Sequence, residues 1–144
     1  MSLTLNVGVF DIPHVGGEKT GLTTGDLAEI LESKYGLYSG FVELHGQEIA
    51  DVLADGVQDA LDAIIGAGVN AVDPLGAAEL PLTAMLIRYF DNEEIAKLGV
   101  PGVPTGAALK GINRRKASGK GVRRTSFIDT SELRNSSSVW VEGS

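Results

Sequence analysis

A small α+β domain is predicted by three features of the chain. Leu3, Leu5, Val7 and Val9 alternate with Thr4, Asn6 and Gly8, a strand pattern at the N-terminus. A long helical periodicity follows in the centre, and further alternation, Ser138 to Glu142, closes the chain. Strand, then helices, then strands at the C-terminus is the order of an α+β fold and not of repeated βαβ units. The 144 residues suffice for one domain, taken as 1–144 with a basic arm at about 110–124.

After the first strand, Asp11 to Gly21 holds Pro13 and a Gly pair and reads as a loop. Thr23 with Asp26 three residues later forms a capping-box-like helix start, Leu27, Ile30 and Leu31 make its apolar stripe, and Gly36 is its stop. The strongest period runs from about Val42 to Ile65. Ile49, Val52, Leu53, Val57, Leu61, Ile64 and Ile65 recur at spacings of three and four, which predicts a long amphipathic helix with that face on a core. Glu48, Asp51, Asp55, Asp59 and Asp62 form an acidic stripe on another side. Like charges four apart repel by a few tenths of a kcal/mol per pair, a cost that a basic partner relieves and that a plainly solvated face simply carries.

Gly66 and Gly68 end that helix, and Asp73-Pro74-Leu75-Gly76 predicts a turn. Leu82 to Phe90, with Met85, Leu86, Tyr89 and Phe90, reads as a short helix. Asp91 and Glu94 have cap-like spacing, and Gly99 closes the brief turn that they open. Pro101 and Pro104 bar a continuous helix; beyond them Thr105 is placed to cap a helix through Ala107, Ala108, Leu109 and Ile112 that ends at Arg114-Arg115-Lys116. Phe127 to Thr130 is a candidate strand, Leu133 sits in a helical turn, and Ser138 to Glu142 is the last strand.

Charge is segregated along the chain. Residues 1–94 carry three basic and sixteen acidic side chains, net −13, whereas residues 95–144 carry nine basic and three acidic, net +6. Seven of the twelve cations, Lys110, Arg114, Arg115, Lys116, Lys120, Arg123 and Arg124, lie in one short stretch. Such a molecule can attract a copy of itself or lay its basic part on a polyanion. No aromatic residue interleaves the basic stretch to stack on bases, and the pI of about 4.7 is acidic, so docking on protein is favoured over nucleic acid.

Enzymatic patterns are weak. Asp129-Thr130-Ser131 resembles the aspartic-protease signature, yet only fifteen residues follow Asp129. That is too few for the β domain such an enzyme builds after its catalytic carboxylate. His14 and His45 are the only histidines and neither has metal-ligand spacing to a second ligand; His45, beside Gly46, is expected to pack or bond locally. Gly119-Lys120-Gly121 lacks the spacing of a phosphate loop. With no Cys there is no thiolate chemistry or disulfide framework, which fits a reducing cytoplasm. No apolar run approaches the roughly 20 residues of a membrane span, and Met1 to Phe10 has no leader character, so a soluble, unprocessed protein is expected. No enzyme activity, cofactor or metal is expected.

The tail, Arg123-Arg124-Thr125-Ser126 through Phe127, Ile128, Asp129, Thr130, Ser131, Leu133 and Arg134 to Trp140, resembles small virion proteins of tailed bacteriophages. In these neck and tail-completion proteins a basic stretch precedes a hydrophobic-hydrophobic-Asp-Thr-Gly segment and a closing strand. Glu43 to Ala50 and Gly99 to Thr105 with Ala107-Ala108-Leu109 resemble the same group; Ser131 stands where Gly is usual and Thr125 where Pro is common. The resemblance implies a non-enzymatic α+β subunit of a ring between head portal and tail. Its partners would be copies of itself, other neck, portal-adaptor or tail proteins, and packaged DNA through the basic arm, with no membrane. It also implies assembly in the host bacterial cytoplasm and residence in the virion. A nucleic-acid-binding accessory protein or a minor tail protein is the alternative.

Overall fold

A computed structural model describes residues 3–11, 21, 23–68, 73–103 and 132–143. Strand β1 (Leu3–Val9) is followed by helices α1 (Thr24–Tyr35) and α2 (Leu37–Ala67), then by a 3-10 turn at Gly76–Ala78 that runs into α3 (Glu79–Asp91). A second 3-10 turn occupies Glu94–Leu98, and after the undescribed stretch a short α4 (Glu132–Ser136) leads directly into β2 (Ser137–Gly143). The α+β class expected from the sequence is the class observed.

The two strands come from opposite ends of the chain and pair antiparallel, Leu3 opposite Gly143 and Val9 opposite Ser137. Phe10 N–H extends the ladder to the Ser136 carbonyl at 2.8 Å. Leu5, Val7, Val9 and Val139 turn inward, while Trp140 lies on the other face and stacks on Phe10 with ring centroids 5.9 Å apart. The outer amides of β2 are closed by α3: Val139 N–H donates to Thr83 Oγ1 at 3.0 Å, and Val141 N–H to Glu79 Oε1 at 2.8 Å. Side chains of a helix thus take the place of a third strand on that edge, a device that blocks unwanted strand addition.

The predicted capping box at α1 is formed. Thr23 Oγ1 accepts the Asp26 N–H at 3.3 Å, and Asp26 Oδ2 accepts the Thr23 N–H at 3.0 Å. Asp11 adds a second acceptor at this helix start, taking the Gly25 N–H at 2.9 Å; hydrogen bonds from Thr23 and Gly25 hold its carboxyl below the usual carboxylate value. Ile30 differs from expectation: it stays half exposed while Leu27 and Leu31 pack on the core. Gly36, in the left-handed conformation at φ 64°, is the single residue between α1 and α2. Only a residue without Cβ takes that conformation at little cost, so the corner is made there.

Helix α2 starts at Leu37, five residues before the predicted start. Gly36 brings no side chain to its exposed amides, and Glu32 at the end of α1 supplies the acceptors instead. Glu32 Oε2 takes the Tyr38 N–H at 2.7 Å and the Ser39 N–H at 3.2 Å, and Oε1 takes the Ser39 hydroxyl. The core lies under this first half: Leu37, Phe41, Leu82, Leu86, Tyr89 and Ile95 are almost wholly buried. Tyr89 donates to the Leu37 carbonyl at 2.7 Å, and its phenol is raised above its ordinary value, chiefly by burial. Ser137 Oγ donates to the Leu133 carbonyl at 2.7 Å, which spends its one proton, so Tyr38 must donate to Ser137 Oγ across 3.1 Å. Burial pushes the Tyr38 phenol up to about 12.

Two elements differ from the sequence reading. Asp91 does not cap the following turn; it is the last residue of α3, and its carboxylate receives Arg134 Nε at 2.6 Å and Nη2 at 2.7 Å. The turn at Glu94–Leu98 has no side-chain cap and ends at Gly99 as expected. The face of α2 is the larger correction. Ile49 is buried and Val52 and Leu53 are packed on the core, but Val57, Leu61, Ile64 and Ile65 are 41%, 52%, 44% and 82% exposed. At about 1.5 Å per residue a helix of this length spans roughly 46 Å, more than twice the length of α3, and it outruns the elements that pack on it among the described residues.

Candidate interaction surface

The distal half of α2 presents three faces. Taking about 100° per residue, their centres lie roughly 120° apart. The first face carries Ile49, Gly56, Ala60 and Ala63 and is the one covered by the chain itself; a Cβ at Gly56 would stand 2.5 Å from the Pro74 carbonyl oxygen, so the turn after α2 packs on small residues at close range. The second carries Asp51, Asp55, Asp59 and Asp62. The third carries Ala50, Ala54, Val57, Leu61, Ile64 and Ile65, all exposed. The larger aliphatic side chains of this region therefore face outward and the smaller ones inward.

The acidic stripe is where the sequence places it, and all five of its residues are exposed. Glu48 pairs with His45 Nδ1 at 3.0 Å, and Gln47 donates to Asp51 at 2.9 Å. Asp55, Asp59 and Asp62 meet no cation among the described residues. The basic segment, Lys110, Arg114, Arg115, Lys116, Lys120, Arg123 and Arg124, lies outside the described residues, as do the predicted helix after Thr105 and the predicted strand Phe127–Thr130. Asp129 and Ser131 lie there too. Of the family-like motif, Leu133 is buried in the core, Arg134 ties α4 to the end of α3, and Trp140 packs on Phe10. The Arg134 guanidinium, through its hydrogen bonds, holds the Asp91 carboxyl below its ordinary value.

His45 does more than bond locally. Its Nε2 lies 2.5 Å from Glu94 Oε2, a partner 49 residues away, while its ring packs beside Phe41 and Tyr89. Partial burial by itself would lower the imidazole; hydrogen bonds to Glu94 and Glu48 and their negative charges outweigh it, and the group sits above its ordinary value. No sequence spacing announces this clasp, because its two sides are brought together only by the fold of α3 over α2.

Among the described residues no group of His, Asp and Glu is arranged to hold a metal ion, and no helix is long and apolar enough to cross a membrane. A shallow cleft of about 360 Å³ lies between β1 and the α1–α2 corner, lined by Leu5, Val7, Glu32, Tyr38, Ser39 and Val42. Its one carboxylate, Glu32, is occupied in capping α2. The features that stand out on this surface are thus the charged and apolar faces of α2. No protein family model, no curated protein and no solved structure matches this chain.

Proposed function

We propose that this protein is a non-enzymatic structural subunit of a tailed-bacteriophage neck or tail-completion ring, in which the acidic face of α2 receives the basic segment 110–124 of the next copy. The observation that carries the reading is the exposed row of Asp51, Asp55, Asp59 and Asp62 on a chain whose last fifty residues carry net +6. A row of carboxylates costs the isolated helix a few tenths of a kcal/mol per neighbouring pair and is relieved by an opposite charge. A ring needs two different complementary faces on one subunit, and this chain has both signs of charge in separate places. Such complementarity guides encounter and register; apolar contact holds the assembly. The phage assignment itself rests on the resemblance of stretches in the centre and the C-terminal third.

Charge exchange tests it. Asp55→Lys with Asp59→Lys is expected to abolish higher assembly of the purified protein, measured by sizing with light scattering, and Arg114→Glu with Arg115→Glu in the same chain is expected to restore it. Assembly that ignores both pairs of substitutions overturns the reading. The alternative, a nucleic-acid-binding accessory protein, predicts duplex binding that falls steeply with salt and is lost in the Arg114→Glu, Arg115→Glu chain whatever the state of α2.

A further inference from the structure

The apolar face of distal α2 is a different surface from the acidic one, and it carries its own partner. We infer that it pairs with the same face of a second copy of this chain, the two α2 helices running antiparallel about a two-fold axis at Val57. Ala50, Ala54, Val57, Leu61 and Ile64 follow one another at spacings of 4, 3, 4 and 3, the seam of two helices packed side by side. The seam tapers. Alanines occupy its proximal end, and Leu61, Ile64 and Ile65 its distal end.

An antiparallel partner centred on Val57 sets Val57 beside its own copy, Ile64 opposite Ala50 and Leu61 next to Ala54, so large side chains meet small ones at both ends of the contact. A parallel partner would set leucine and isoleucine against their own copies at one end and leave alanine against alanine at the other. Charge agrees with the pairing. The aspartates lie about 120° round the helix from the seam, with the neutral Gln47 and Gln58 on the flank between them and the uncharged Gly46, Leu53 and Ala60 on the other.

The area is sufficient for a weak specific contact. Four large aliphatic side chains this exposed present on the order of 400 Å² per copy, and with the flanking alanines and glutamines a pair buries about 1,000 Å², at the lower end for a specific interface. This contact goes beyond the ring reading. A two-fold pair closes on two copies and is apolar, whereas the ring contact is head-to-tail and charged.

Because the chain has no cysteine, single thiols report the geometry directly. Under mild oxidation Val57→Cys is expected to form a covalent dimer, Ile64→Cys alone to remain monomeric, and a mixture of Ala50→Cys with Ile64→Cys chains to cross-link. Leu61→Glu is expected to weaken the dimer at least tenfold in sedimentation equilibrium with its circular dichroism unchanged. The wild-type dimer should persist in about 0.5 M salt, which screens a charged contact. Self-linking by Ile64→Cys, or no link by Val57→Cys, overturns the antiparallel pair, as does Leu61→Glu without effect. Unchanged higher assembly of the Asp55→Lys, Asp59→Lys chain overturns the ring reading and leaves this dimer untouched, whereas the cysteine pattern tests the dimer alone, so the two readings fail separately.

Discussion

His45 holds the turn at Glu94–Leu98 against α2, and its elevated imidazole sets the sign of a pH effect. The folded protein binds the His45 proton more tightly than the unfolded chain does, so the clasp contributes fully below the ordinary value of 6.5 and fades as pH rises through the higher folded value. The urea midpoint is therefore expected to fall between about pH 6 and 8, and this fall should be smaller in Glu94→Gln, where the nearest charge is gone and only Glu48 still raises the imidazole. A slope that is the same in both chains assigns the effect elsewhere. Gly56 gives a second residue-scale expectation. A methyl at this position meets a backbone carbonyl at 2.5 Å, which no side-chain rotation relieves, so Gly56→Ala should lose about 1–3 kcal/mol in denaturant unfolding despite the better helix propensity of alanine. At this scale little was legible beforehand. His45 and Glu94, like Asp91 and Arg134, are joined by tertiary packing, and spacing rules reach only neighbours within a turn or two.

The elements were far easier to read. The extent of β1 follows from strict alternation, and the start of α1 from a reciprocal Thr23–Asp26 cap, both local signals that the fold leaves intact. The sequence pattern places the start of α2 five residues late because its cap is not in its own sequence: the acceptors come from Glu32 on the previous helix. Glu32→Ala is accordingly expected to cost about 0.5–2 kcal/mol in denaturant unfolding, the range for loss of a helix cap, and to speed amide exchange at Tyr38 and Ser39 first. Equal acceleration along the whole of α2 would place the role of Glu32 in packing instead. The apolar period of α2 was legible, but its meaning was not. Periodicity shows which side of a helix avoids water, and it is the same whether the cover is the chain's own core or another molecule. Spacings of three and four also join positions that drift round the helix: Ile49 and Leu61 belong to one sequence pattern, yet they lie about 120° apart, one 7% exposed toward the core and the other 52% exposed on the outer face.

At the scale of the whole molecule, folding and assembly make opposite demands on one helix. The monomer would be more stable with mixed charges along α2, since Asp51–Asp55, Asp55–Asp59 and Asp59–Asp62 are like-charge neighbours four, four and three residues apart. Asp55→Lys with Asp62→Lys turns each of these pairs from repulsion to attraction. Three such reversals are worth about 1 kcal/mol to the isolated fold at low salt, and the gain should shrink as salt is added. If the row of carboxylates serves to receive a cationic segment, the same double variant assembles less well while melting at a higher temperature. Opposite signs in the two measurements are the signature of a surface kept for a partner at some expense to the monomer. Were the row only a solvated face, the variant would melt higher and assemble as before. Calorimetry paired with light scattering on one preparation separates these outcomes, because no general damage to the fold raises the melting temperature while lowering the assembled fraction.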